Sequence, residues 1–353
     1  MNARPTRVAV LAHDLFPHRA KTATGVIRYA DYDVAAVVDR ANPGSRASDH
    51  LSLAADRDAP VVESMEAALA VDEEIDALVI GIAPIGGGFD ESWRPDVEHA
   101  LEQGVDVIAG LHYFLAEDDA FATLADEHGA TIYDVRKPHP DLTVAEGRAD
   151  EVDADVVLTV GTDCSVGKMT VSLELTRAAQ ERGVDAAFIP TGQTGIMIAG
   201  WGNPIDRVVS DFTAGAVEEM ILEKGDEHDV LFVEGQGSIV HPAYSAVTCG
   251  ILHGSMPDSM VLCHVAGRDA IHGYEDTAIP DPETYVDLYE DLAAPVHRGE
   301  VVAGAVNTAS LDSDEGARAA LEAFGSSIDG PATDPIRFDA DEVLDAVLGD
   351  DEP

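Results

Sequence analysis

Short runs of consecutive apolar residues, separated by amphipathic stretches, recur along the whole chain. RVAVLAH (7–13), VAAVVD (34–39), IDALVIGI (75–82) and VDVIAGLH (105–112) are apolar on adjacent positions, as in strands buried on both faces of a parallel sheet. Between them lie helical stretches: TATGVIRYA (22–30), one around Pro95–Gln103 and one ending near Gly129. Strands alternating with helices at these lengths predict a Rossmann-like domain. Asp39 closes the second run, where such a domain places a ribose-binding carboxylate, yet the first loop supplies no G-x-G-x-x-G. The loop GIAPIGGGF (81–89) follows a strand, a position for ligand contact or for a flexible crossover.

A second alternating series begins near residue 156. A strand at Val156–Val160 leads through a loop to a helix running from Gly167 to about Gly183. Further strands are expected in DAAFIPTG, HDVLFVEGQG, SMVLCHVAGRD and EVVAGAVNTAS, with helices in DFTAGAVEEMILEKG and EGARAALEAFG. The stretch 135–155 carries proline and acid without an apolar period, which marks a junction. The expected architecture is α/β: a Rossmann-like parallel-sheet domain over 1–145, then a P-loop NTPase-like domain over 146–353.

Charge changes the picture. The chain has 67 acidic and 21 basic residues, a formal net charge of -46, spread along its length. Such a surface repels nucleic acid, whose binding requires cationic side chains against phosphate. It also destabilises the fold by self-repulsion unless salt screens it, the Debye length falling to about 3 Å at 1 M. A halophilic protein is the expectation. No apolar run reaches the roughly 20 residues of a membrane span, and the N-terminus lacks the apolar segment of a secretory signal. A cytoplasmic location is therefore expected. The three cysteines, Cys164, Cys249 and Cys263, form no CxxC pair and predict no disulfide framework. His253, His264 and His272 lack the spacing of a helical metal site, so no metal is expected.

The sharpest chemical signal is GTDCSVGKMT. Gly161, Thr162, Asp163, Cys164, Ser165, Val166, Gly167, Lys168, Met169 and Thr170 join the strand to the helix. Backbone N–H groups at a helix N-terminus, with a lysine, form a phosphate cradle. Five residues separate Gly161 from Gly167, a spacing that resembles the loop of dethiobiotin synthetase. After Lys168, a P-loop enzyme that uses Mg²⁺ has Ser or Thr, and here stands Met169, a poor ligand for a hard cation. Glu234 ends an apolar strand in VEGQGS, the position of a carboxylate facing metal or substrate, and His241 follows seven residues on. Both are candidate acid–base groups. PTGQTGIMIAGWG (190–202) is too glycine-rich for a helix and too apolar for a solvent loop, which suggests a ligand wall. Within and just beyond it, Gln193, Thr194, Arg207 and Asp211 are candidate substrate contacts, the last two on an expected helix. Asn307 in AVNTAS resembles the Asn with which related P-loop enzymes read adenine.

Taken in order, GTDCSVGKMT, PTGQTGIMIAGWG, VEGQGSIVHPAYS and LCHVAGRD resemble the two-domain family that includes D-glutamate N-acetyltransferase; GIAPIGGGF and GLHYFL extend the resemblance into the first half. The resemblance implies transfer of an acetyl group from acetyl-CoA to the amine of D-glutamate, with a partner enzyme racemising the N-acetyl product. It implies that the loop clamps CoA phosphates, that Glu234 or His241 is the base, and that Arg207, Thr194 and Gln193 take the substrate carboxylates. A small-molecule amino-acid substrate and further copies of the same chain are the other expected partners. Two alternatives stay open. One is a ligase or kinase using Mg-ATP, with Thr170 or Asp163 and Glu234 on the metal. The other is a nucleotide-sensing regulator without turnover.

Overall fold

A computed structural model describes residues 6–84 and 86–349. They fall into two compact units, Met1–Pro138 with Ile196–Pro204, and His139–Gly195 with Ile205–Pro353. Ile85, inside the GIAPIGGGF loop, lies outside the described residues.

The first unit holds strands β1 (Arg7–Leu11), β2 (Asp33–Val38), β3 (Val61–Val62), β4 (Ala77–Ile80), β5 (Asp106–Ala109) and β6 (Ile132–Asp134). All pair in parallel, in the order β3-β2-β1-β4-β5-β6, the Rossmann order. Helices α1 (Lys21–Tyr29), α2 (Met65–Val71), α3 (Arg94–Glu102) and α4 (Asp119–His128) connect them. Val8 through Leu11 and Ala77 through Ile80 are fully buried, as their unbroken apolar runs require. The caps are local. Asp118 accepts the N–H groups of Ala120 and Phe121 to start α4, and Gly129, at φ +74°, ends it. Asp39 is fully buried and holds the loops after β1 and β2. Its Oδ1 accepts the N–H of Asp14 at 2.7 Å and of Ala41 at 3.2 Å, and its Oδ2 accepts Asn42 Nδ2 at 2.7 Å. It serves as a loop pin.

The second unit holds β7 (Asp155–Gly161), β8 (Ala186–Ile189), β9 (Val230–Val233), β10 (Ser259–Val265), the short hairpin β11 (Ala270–Ile271) and β12 (Tyr274–Ala278), then β13 (Glu300–Asn307) and β14 (Ala332–Thr333). The main sheet is parallel, in the order β14-β13-β10-β7-β9-β8. Helices α5 (Lys168–Glu181), α6 (Gln193–Ala199), α7 (Thr213–Lys224), α8 (Ser245–Ser255), α9 (Pro282–Ala293), α10 (Asp314–Ile328) and α11 (Asp341–Leu348) complete the chain; of α6, residues 193–195 belong to this unit and 196–199 to the first. Val157, Phe232 and Val261 from the sheet pack with Val171 and Leu175 of α5 and Leu344 of α11 into one core. Burying each such side chain contributes about 1.5–3 kcal/mol. Because β7 sits between β9 and β10, the loops that leave their C-terminal ends share one edge of the sheet. That edge carries GTDCSVGKMT, VEGQGS and HVAGRD, the place where open parallel sheets bind ligands.

Two local expectations are corrected. Residues 193–199, read from the sequence as too glycine-rich for a helix, form α6. Arg207 and Asp211 lie in separate tight 3-10 turns, Ile205–Arg207 and Ser210–Phe212, instead of on one helix, and both are exposed. Among the described residues, no helix is long and apolar enough to cross a membrane.

Candidate phosphate-binding site

The phosphate loop is shaped by two left-handed residues. Ser165 has φ +53° and Gly167 has φ +106°, a value that favours glycine, and the turn delivers the chain into α5. The first turn of α5 lacks preceding carbonyls for its N–H groups, which leaves them to an anion. Lys168, the first residue of α5, is buried, and its Nζ donates to the carbonyl of Asp163 at 2.9 Å and of Gly237 at 2.7 Å. The ammonium is thereby held at the loop and at the turn after β9. Met169 is buried at 4% exposure where a metal-binding hydroxyl would stand, while Thr170 is half-buried. Val166 is in the core, and Cys164 is half-buried.

Asp163 organises this loop from within. It is fully buried; Oδ1 accepts the N–H of Cys164 at 2.6 Å, and Oδ2 accepts Arg268 Nη1 at 3.1 Å and the N–H of His272 at 2.8 Å. Arg268 also donates to the carbonyl of Cys164 at 2.7 Å. Two tyrosines from α9 hold the loop's first residues. Tyr285 donates to the carbonyl of Thr162 at 2.7 Å and Tyr289 to that of Gly161 at 2.8 Å. Burial pushes both phenols up, Tyr289 to about 12, so they stay protonated donors near neutrality. Thr162 Oγ1 pairs with Nδ1 of His264 at 2.9 Å; burial lowers the His264 pKa, and its ring stacks on Phe324.

Glu234 follows directly on β9 and is buried at 5% exposure. Its Oε2 accepts the N–H groups of Thr191 at 3.1 Å and Gly192 at 3.0 Å, while Thr191 Oγ1 donates to its main-chain carbonyl at 2.6 Å. A Cβ at position 195 would lie 2.3 Å from that Oε2. The glycines of PTGQTG thus make room for this carboxylate, and Gln193 and the buried Thr194 begin α6 beside it. His241 is buried at 1% exposure, its ring between Tyr244 (centroids 4.7 Å apart) and Tyr274 (5.3 Å). Asn307 ends β13, one strand beyond β10 from the phosphate loop, and its Oδ1 accepts the N–H of Ala309.

The loop residues, Glu234 and His241 therefore gather at one sheet edge, whereas Arg207 and Asp211 sit on exposed turns. Sequence reasoning did not nominate Arg268, Tyr285 or Tyr289. For Arg268 a signal existed: a cation inside a glycine-containing strand end in so acidic a chain. The tyrosines, in a plain amphipathic helix, gave none.

Similar proteins carry the same layout. Residues 143–344 match a domain of unknown function described as a P-loop domain (DUF1611_C), and residues 40–138 match its Rossmann-like companion (DUF1611_N). A crystal structure of a DUF1611 family protein from Anabaena variabilis superposes with a TM-score of 0.91 at 39% identity, covering 97% of this chain and 99% of that one. A D-glutamate N-acetyltransferase from a Pseudoalteromonas species is 38% identical over 75% of this chain and 79% of its own length. Another, from Tritonibacter scottomollicae, is 39% identical over 76% of this chain and 80% of its own.

Proposed function

This chain belongs to the DUF1611 family and is a relative of the D-glutamate N-acetyltransferases, and from that premise we propose that it moves an acetyl group from acetyl-CoA to the amine of D-glutamate. The single observation that supports this reading of the site best is the phosphate loop itself. It pairs an anion cradle and Lys168 with a buried Met169 in place of the metal-binding hydroxyl. Phosphoryl transfer leans on a metal ion to neutralise charge on the moving group. Acyl transfer asks of this loop only that it hold the cofactor's phosphates, so Met169 carries no penalty.

In this reading the loop N–H groups and Lys168 bind CoA phosphates, and Asn307 lies toward the adenine. The amine lone pair attacks the thioester carbonyl carbon; a C–N bond forms, the C–S bond breaks, and CoA leaves as its thiol after protonation. Glu234 takes the proton that the nitrogen loses and returns it to the departing thiolate sulfur. Its orientation is held by the N–H groups of Thr191 and Gly192. Gln193 and Thr194, which begin α6 beside Glu234, bind the acceptor's carboxylates. The N-acetyl product then passes to a racemase.

Incubating the purified protein in concentrated KCl with acetyl-CoA and either enantiomer of glutamate, while following free thiol, tests this. Thiol release with D-glutamate supports the reading. Silence with both enantiomers, in protein that binds acetyl-CoA, overturns the assigned acceptor.

A further inference from the structure

One buried polar atom at the phosphate loop faces no acceptor. Nδ1 of His241 accepts the backbone N–H of Ala243 at 3.1 Å. A neutral imidazole carries its proton on the other nitrogen, so Nε2 is the donor. A proton on Nδ1, in the other tautomer or in the cation, would face the N–H of Ala243. Among the described residues, Nε2 has no hydrogen-bond partner, although His241 is 1% exposed. Native buried donors are nearly always satisfied, so an orphan at a ligand-binding edge marks a missing acceptor.

That acceptor is not Asp163. Its Oδ1 lies 4.0 Å from Nε2, beyond hydrogen-bond reach, and both its oxygens already take the N–H of Cys164, Arg268 and the N–H of His272. Ligand atoms of Asp163, Cys164 and His241 do lie within 4.8 Å of one another, a spacing that suits a metal ion. A metal, however, requires the lone pair of Nε2, and the Ala243 N–H places a proton there.

We propose that His241 donates Nε2–H to a phosphoryl oxygen of the ligand seated on the phosphate loop. The inference rests on the reading of that loop as a phosphate site. It makes His241 a binding residue in place of a general base or a metal ligand. Tyr244 and Tyr274 fix the plane of its ring. Lys168 and the α5 N–H groups approach the same anion from the loop, so the phosphate is gripped from the turns after both β7 and β9.

Titrations of three full-length proteins in EDTA, each with CoA and with inorganic pyrophosphate, test the proposal: wild type, His241→Ala and His241→Gln. The Gln amide reaches to about the position of Nε2 and donates, but it is neither a base nor a good metal ligand. The proposal expects His241→Ala to weaken both ligands by about tenfold or more, and His241→Gln to recover most of the loss. Equal affinity in wild type and His241→Ala overturns it while leaving the phosphate reading intact. Silence of the wild type toward both ligands overturns the two together. Independently of any variant, long-range ¹⁵N–¹H spectra of the wild type should show His241 protonated on Nε2; a proton on Nδ1 refutes the assignment. Cobalt(II) producing a thiolate-to-metal band that is lost in both Cys164→Ser and His241→Ala would also refute it.

Discussion

Oε2 of Glu234 accepts the backbone N–H of Gly192 at 3.0 Å and occupies space that a Cβ on residue 195 would need, 2.3 Å away. The turn into α6 is thus built around a strand-end acid. Gly195→Ala gains about 0.5–1 kcal/mol of helix propensity but forces a clash worth about 1–3 kcal/mol. The clash wins, and the melting temperature falls. An unchanged melting temperature with full activity would contradict this packing.

Glu234→Gln keeps the size and the carbonyl that can accept from Thr191 and Gly192, while removing the charge that takes the amine proton in the proposed reaction. Turnover should fall about 100-fold or more, with acetyl-CoA affinity within a factor of about three. Steady-state rates and a cofactor titration check both halves, and an unchanged rate removes Glu234 from catalysis.

Tyr289→Phe strips the hydroxyl that bonds Gly161 and the N–H of Ile239. Leaving these buried groups unpaired costs about 1–3 kcal/mol. Thermal unfolding should register it, and CoA affinity should fall because the loop loses its anchor on α9. A variant as stable and as tight as wild type would show that the tyrosine does not hold the loop.

The net charge of -46 predicts that salt stabilises the fold by screening self-repulsion. Raising KCl from about 0.1 M to about 2 M, which shortens the Debye length to a few ångströms, should raise the melting temperature and restore binding lost at low salt. A melting temperature that is flat or falling across that series contradicts adaptation to salt.

How much of this was legible from the sequence follows from where the signals sit. The phosphate loop could be read because strand, glycine, lysine and helix are adjacent in the chain, and the two parallel sheets because their strands are unbroken apolar runs. α6 was missed because its glycines argue against a helix by propensity. Gly195 is there for space against Glu234, thirty-nine residues later, and tertiary context overrides propensity. Arg268, Tyr285 and Tyr289 reach the loop across 105, 123 and 128 residues, separations that no local pattern reports. The tautomer of His241 depends on one backbone N–H two residues away, a matter of turn geometry instead of composition.

In the proposed function this loop holds phosphates and does not break them. Calorimetric titration in concentrated KCl with acetyl-CoA, with and without EDTA, and with Mg-ATP tests it most directly, with Lys168→Ala alongside. Acetyl-CoA should bind the wild type equally well in EDTA, and Lys168→Ala should weaken it by about 10- to 100-fold, as loss of a charge-assisted contact implies. Tight binding of Mg-ATP with no acetyl-CoA signal would contradict the proposed function.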